Sequence, residues 1–164
     1  MSAPGEISMF TPREGLATDF DFLVGEWVVH HRRLRVRNAG GQEWDEFDGT
    51  SRLWTLLDGV ANVDELACPT RGFTGMSVRT LDLASGRWSI YWISSTEGRL
   101  LQPVHGGFSG ARGEFEGEDT DGDVPVAVRF VWTVVPDAPR WEQAFSYDGG
   151  RTWETNWLME FRRP

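Results

Sequence analysis

The sequence predicts an all-β fold: a single closed antiparallel meander β-barrel of about 8–10 strands, entered through a short N-terminal helical turn. Three observations predict it. From Trp27 onward the apolar residues recur with a period of two rather than 3.6. Gly, Asn, Asp and Pro clusters cut the chain at short intervals, leaving runs of strand length between them. No long stretch keeps helical apolar spacing without a breaker. A meander of this length leaves two raw edges unless it closes, and a barrel removes both. A two-sheet sandwich is the alternative, but it needs long Greek-key connections and none are visible.

Taken in order, residues 1–18 carry Pro4, Gly5, Pro12 and Gly15 without periodicity and read as a tail or strap, with the barrel domain occupying 19–164. Asp19-Phe20-Asp21-Phe22-Leu23 is a short acidic–apolar alternation ending at Gly25, which suits one helical turn feeding the first strand. Strand runs follow at about 27–37, 43–57, 60–67, 74–83, 87–95, 101–108, 112–119, 124–135, 140–147 and 151–162. The clearest hairpin is the last, where Asp148-Gly149-Gly150 joins the two final runs. One of its faces carries Trp141, Gln143, Phe145, Tyr147, Trp153, Thr155, Trp157, Met159 and Phe161. The other carries Glu142, Ala144, Ser146, Glu154, Asn156, Leu158, Glu160 and Arg162. The aromatic face reads as interior and the acidic one as solvated. The alternative is a polar, ligand-holding interior with the apolar face against a partner subunit.

Composition narrows the function classes. Net charge is −9 with 25 acidic residues, which argues against nucleic-acid and anionic-membrane partners, since both need a positive field. All 16 basic residues are arginine, so lysine Schiff-base and P-loop-lysine chemistry are excluded. Cys68 is alone, so no intrachain disulfide forms, which suits a reducing cytoplasm. The N-terminus lacks the cationic and apolar blocks of a signal peptide, and no run approaches the roughly 20 apolar residues of a membrane span. A cytoplasmic location is the expectation. Nine tryptophans require something large and flat to be packed or bound.

Gly25-Glu26-Trp27 at the start of the first strand resembles the G-x-W motif of the calycin barrels, which include lipocalins, fatty-acid-binding proteins and nitrobindins. FDFLVGEWVVHHRRL, GMSVRTLDLASGRWSIYW and RWEQAFSYDGGRTWETNW together resemble the bacterial lipocalin-like proteins of the DUF1579 type, a domain of unknown function, over residues 20–162. The resemblance implies one calycin-like barrel, often a homodimer, and little about activity. It implies that Arg162 packs across Trp27, as a late-strand arginine does in lipocalins. Nitrobindins hold haem through a late-strand histidine. None follows His105 here, so haem is not expected and no cofactor is assigned. Fatty-acid-binding proteins hold a carboxylate with late-strand arginines, a role that falls to Arg129.

The residues offer few catalytic constellations. Adjacent His30 and His31 point to opposite faces and cannot share a metal, so no metal site is expected. If Trp27 points inward, so do His31 and Arg33, and His31 becomes an interior candidate for acid–base work with Glu142 or Arg79 as partner. His30 to Arg37 forms a basic island that either anchors an anion or pairs with Glu43, Asp45, Glu46 and Asp48 across the next hairpin. The acidic turn Glu118–Asp123 lacks a calcium-loop pattern and reads as a solvated tip. No G-x-S-x-G elbow or phosphate cradle is present.

The reading favoured is a barrel that binds a small apolar or aromatic molecule. Its candidate ligand-binding residues are His31, Arg33, Arg79, Trp92, Arg129, Gln143, Asn156 and Trp157. Alternatives are a barrel enzyme of acid–base isomerisation or cyclisation, and a ligand-free homodimeric scaffold.

Overall fold

A computed structural model describes residues 10–164 of the chain. Strands β1 (Gly25–Leu34), β2 (Trp44–Leu56), β3 (Ala61–Cys68), β4 (Phe73–Asp82) and β5 (Arg87–Ser94) are followed by β6 (Val104–Ser109), β7 (Arg112–Asp121), β8 (Val124–Thr133), β9 (Arg140–Ser146) and β10 (Glu154–Arg162). Each pairs antiparallel with its sequence neighbour, and β1 also pairs with β10, so the ten strands close into a barrel. The meander predicted from period and turn chemistry is the observed topology. Closure satisfies both edges through Val28–Arg33 against Trp157–Arg162.

Alternation sets which side chains meet inside. On β1, Trp27, Val29 and His31 are buried, while Glu26, Val28 and His30 are not. On β8 Val126, Val128, Phe130 and Trp132 point inward, while the alternate set Ala127, Arg129, Val131 and Thr133 faces out, with Val131 nonetheless covered at 4 % exposure. The basic island divides the same way. Outward His30 bonds Asp48 at 2.8 Å and Glu46 at 3.1 Å, so its partners are the acidic residues across the hairpin. Their carboxylates hold the His30 pKa above its ordinary value.

One end of the barrel is plugged from the N-terminal side. A single 3-10 turn at Asp21–Leu23 follows Phe20, whose ring is 1 % exposed and lies edge-on to Trp88 and Phe108 at 4.9 and 5.1 Å. Burying such a ring contributes roughly 1.5–3 kcal/mol. The strap before it is tied down by Arg13 N–H donating to Phe108 O and Gly15 N–H donating to Gly86 O, both at 2.8 Å. Asp19 accepts from the Trp88 indole at 2.9 Å and from Arg13 Nη2 at 2.8 Å. The part of the expected strap at residues 1–9 lies outside the described residues.

Two sequence expectations are corrected here. The arginine across Trp27 is Arg163, not Arg162: its Cζ sits 3.6 Å from the ring centroid, and its Nη1 donates to the carbonyls of Val24 and Glu26. Arg162 is opposite Val28 and exposed, because it belongs to the outward set of β10. The guanidinium caps a tight start: Gly25 adopts φ +105, a left-handed value that glycine tolerates without strain.

The second correction concerns the last hairpin. Gln143, Trp157, Met159 and Phe161 do line the interior, as the aromatic-in assignment requires. A β-bulge lies between Thr155 and Trp157, so Glu154 stands opposite Phe145 and Thr155 opposite Ala144. The inserted residue, Asn156, reverses the alternation before it. Trp153 consequently sits under outward Arg129, 4.0 Å from its Cζ, rather than beside Trp157.

Candidate functional site

Above the plug the barrel holds a cavity. Its volume is about 80 Å³. One water needs roughly 10–15 Å³, so the room exceeds a solvent niche. The walls are ring-rich: Trp92, Trp132, Trp141, Trp157, Phe130 and Phe161, with Leu66, Ile90, Val104, Val128 and Met159 filling between them. Leu101, Gln102, Glu118 and Asp119 also line it, contributed by the β5–β6 connection and by β7. Trp92 lies against Gly75, where an added Cβ would fall 1.8 Å from the indole, so only glycine permits that ring position.

The floor rests on the plug and carries the polar chemistry. Arg79 is 3 % exposed, with Cζ 5.0 Å from the Phe20 ring centroid and 5.9 Å from that of Trp132. Phe22 in turn lies 5.7 Å from Trp132. Arg79 Nη2 donates to Asp64 Oδ2 at 2.6 Å and Nη1 to Asn62 Oδ1 at 3.0 Å, while the other oxygen of Asp64 accepts from the Ser77 backbone at 3.0 Å. The register explains the cluster, because Asn62 stands opposite Arg79 and Asp64 opposite Ser77. The Arg79 Nε–H and the Trp132 indole N–H are both buried and have no protein partner. A buried unpaired donor costs about 1–3 kcal/mol, and two at one cavity floor leave hydrogen-bonding capacity for something else.

A second polar cluster lies on β1, β2, β3 and β10. His31 is fully buried and stacks on Phe47 with centroids 4.6 Å apart. The Trp157 indole donates to His31 Nδ1 at 3.1 Å, which places the imidazole proton on Nε2, facing Cys68 Sγ at 3.6 Å. Burial, with the nearby Arg33 charge, pushes the His31 pKa down to about 4. Burial likewise pushes the Cys68 thiol up to about 11. Near neutral pH the pair is a neutral imidazole and a thiol, not a nucleophilic ion pair.

Of the residues singled out from sequence, Arg79, Trp92, Gln143 and Trp157 meet around the cavity. His31 points inward but is sealed behind Trp157 and Phe47, with both ring nitrogens engaged. Arg33 also points inward, its Cζ 4.7 Å from the Trp157 centroid and 5.3 Å from that of Phe73, outside the cavity lining. Asn156 occupies the bulge and accepts from Gln143 Nε2 at 2.8 Å, so it supports a lining residue without being one. Arg129 is on the outer face, bonded to Glu116 at 2.9 Å, which removes it as a carboxylate anchor in the interior. Glu142 stands opposite Val131 and Leu158 on the outward set of β9 and cannot serve an interior acid–base step with His31.

Sequence reasoning missed Trp132 and Asp64 as site residues, along with the strand-connecting Leu101 and Gln102. The signal for Asp64 was the Asn62-x-Asp64 spacing opposite an inward arginine on the next strand. Trp132 carried none beyond its inward parity.

No protein-family model matches the chain, and no curated protein matches its sequence. Among solved structures it is similar to the crystal structure of Rv2717c from M. tuberculosis, with TM-score 0.60 and 9% sequence identity, covering 93% of this chain and 99% of that one. At that identity the likeness concerns the fold alone. It fits the closed antiparallel barrel described above.

Proposed function

We propose that this chain is a ligand-binding barrel that takes a small apolar or aromatic molecule into its interior. The observation that carries the reading is the ring-walled cavity, in which six aromatic side chains surround space open at one end. Such walls reward flat apolar ligands through desolvation and through ring contacts of about 0.5–1.5 kcal/mol each. An acid–base enzyme centred on His31 is not part of the proposal: its ring is sealed and its proposed partner Glu142 faces outward. Nor is haem, because inward His31 has both nitrogens engaged while His30 and His105 face outward. A cytoplasmic setting, and the absence of nucleic-acid and membrane partners, are carried over from composition. No helix among the described residues is long and apolar enough to cross a membrane.

The test is a titration of tryptophan fluorescence with naphthalene-class compounds, run beside Val128→Trp, which fills the cavity. Saturable quenching in the wild type that Val128→Trp abolishes is the expected result. No saturable binding across such a panel would overturn the reading.

The homodimer is proposed on a separate observation. Trp54, Val63, Val78 and Tyr91 stand in register across β2–β5 on the outer face, beside Met76 opposite Ile93. A second copy covering this apolar row would make Trp54→Glu monomeric in sedimentation velocity. A wild type already monomeric at micromolar concentration would remove the proposal.

A further inference from the structure

Resting on the ligand-binding reading, we infer that the cavity selects an uncharged, flat carbonyl compound, an aryl ketone or quinone-like molecule, whose carbonyl oxygen faces Arg79 Nε and Trp132 Nε1 at the floor.

The argument starts from what those two atoms are. Both are N–H donors, both are buried, and both lack a partner, while the residues that carry them are 3 % and 2 % exposed and line the same cavity. Asn62 Oδ1 and Asp64 Oδ2 hold the Arg79 Nη atoms and Asp64 Oδ1 holds the Ser77 amide, while Arg79 Nε has no protein acceptor. A carbonyl oxygen, with two lone pairs and no hydrogen of its own, complements these two donors.

Charge decides between a carbonyl and a carboxylate. Arg79 is not a free cation, because Asp64 pairs with it at 2.6 Å. Besides that pair, the charged residues lining the cavity are Glu118 and Asp119. Glu118 is exposed and Asp119 half-buried, so a carboxylate would enter past two acidic groups to reach an arginine already neutralised by Asp64, while a neutral carbonyl meets no such repulsion. Shape decides the rest of the molecule. Trp132, beside Arg79, is joined in the lining by Trp92, Phe130, Trp141 and Trp157, so a planar ring system matches the surface offered. The partnered indole of Trp157 marks the contrast, since its N–H is already bonded to His31.

A matched set of three probes tests this on the wild-type protein by calorimetry: 2-acetylnaphthalene, 2-ethylnaphthalene and 2-naphthoate. They share a ring system and differ in carrying a neutral acceptor, no acceptor, or a charged one. The ketone is expected to bind about tenfold more tightly than the hydrocarbon, as one well-placed buried hydrogen bond allows, and more tightly than the carboxylate. Its infrared carbonyl stretch should fall on binding, and should fall less in Trp132→Phe, where the ratio of ketone to hydrocarbon affinity also narrows. Equal affinity for ketone and hydrocarbon, or an unshifted stretch, overturns the carbonyl assignment and leaves the ligand-binding reading standing. Preference for the carboxylate overturns the charge argument. Failure of all three to bind overturns both readings.

Discussion

Two buried polar clusters in this barrel, around His31 and around Arg79, differ in one respect that matters more than burial. His31 gives Nδ1 to an indole donor, turns Nε2 toward a thiol, and stacks on Phe47. Every polar atom of its ring has a neighbour suited to it. Arg79 is as deeply buried, yet its Nε and the adjacent Trp132 indole are left without partners beside a cavity. Histidine is the residue type that suggests acid–base chemistry, yet this ring is packed and hydrogen-bonded. The comparison teaches that unpartnered capacity next to space, rather than a reactive residue type, marks the candidate site.

The comparison can be broken first by removing a partner. Asp64→Ala leaves the Arg79 charge buried against Asn62 alone, and should lower unfolding free energy in urea by about 3–5 kcal/mol. A loss below 1 kcal/mol would mean the floor is wetter than its geometry implies.

Protonation is the next lever. The His31 pKa is about 4 in the fold against an ordinary 6.5, so between these values the unfolded chain binds a proton that the folded ring refuses. The stability this contributes is present above pH 6.5 and is lost as pH falls toward 4; between pH 7 and 5 the loss is about 2 kcal/mol. Outward His30 is shifted the other way, and its contribution is present at low pH and lost as pH rises. Comparing the wild type with His31→Leu at pH 7 and pH 5 isolates the inner ring, and the variant's stability should be flatter by that amount. An unchanged slope would show that His31 is not sealed.

A smaller effect separates the two C-terminal arginines. Arg163→Ala removes the cation over Trp27 and two bonds to carbonyls, at about 1 kcal/mol, whereas Arg162→Ala should be silent in thermal melts. The reverse order would restore the sequence assignment.

The barrel was legible because two-residue periodicity and turn chemistry are local signals, and a meander needs no long-range information to be ordered. Inward assignment was legible wherever parity ran unbroken, as at Arg79, Trp92, Gln143 and Trp157. It failed at Trp153 and Thr155, where the one-residue bulge at Asn156 inverts the faces and leaves no composition signature. Arg129 and Glu142 lie on outward sets; an interior place for Arg129 follows only from the fatty-acid-binding-protein resemblance, and one for Glu142 only from turning the acidic hairpin face inward. The floor itself was not legible, because whether an arginine keeps a free N–H depends on where Asp64 and Asn62 stand across the sheet.

The most direct test of the comparison is the indole region of a nitrogen–proton correlation spectrum, with Trp132→Phe assigning one of the nine indole signals. Adding 2-acetylnaphthalene should move the Trp132 indole proton downfield and slow its exchange, while 2-ethylnaphthalene should not. The Trp157 signal, bonded to His31, should keep its slow exchange with both. A downfield shift at Trp157 with Trp132 unmoved would contradict the account, placing the ligand's polar contact at the histidine cluster instead of the floor.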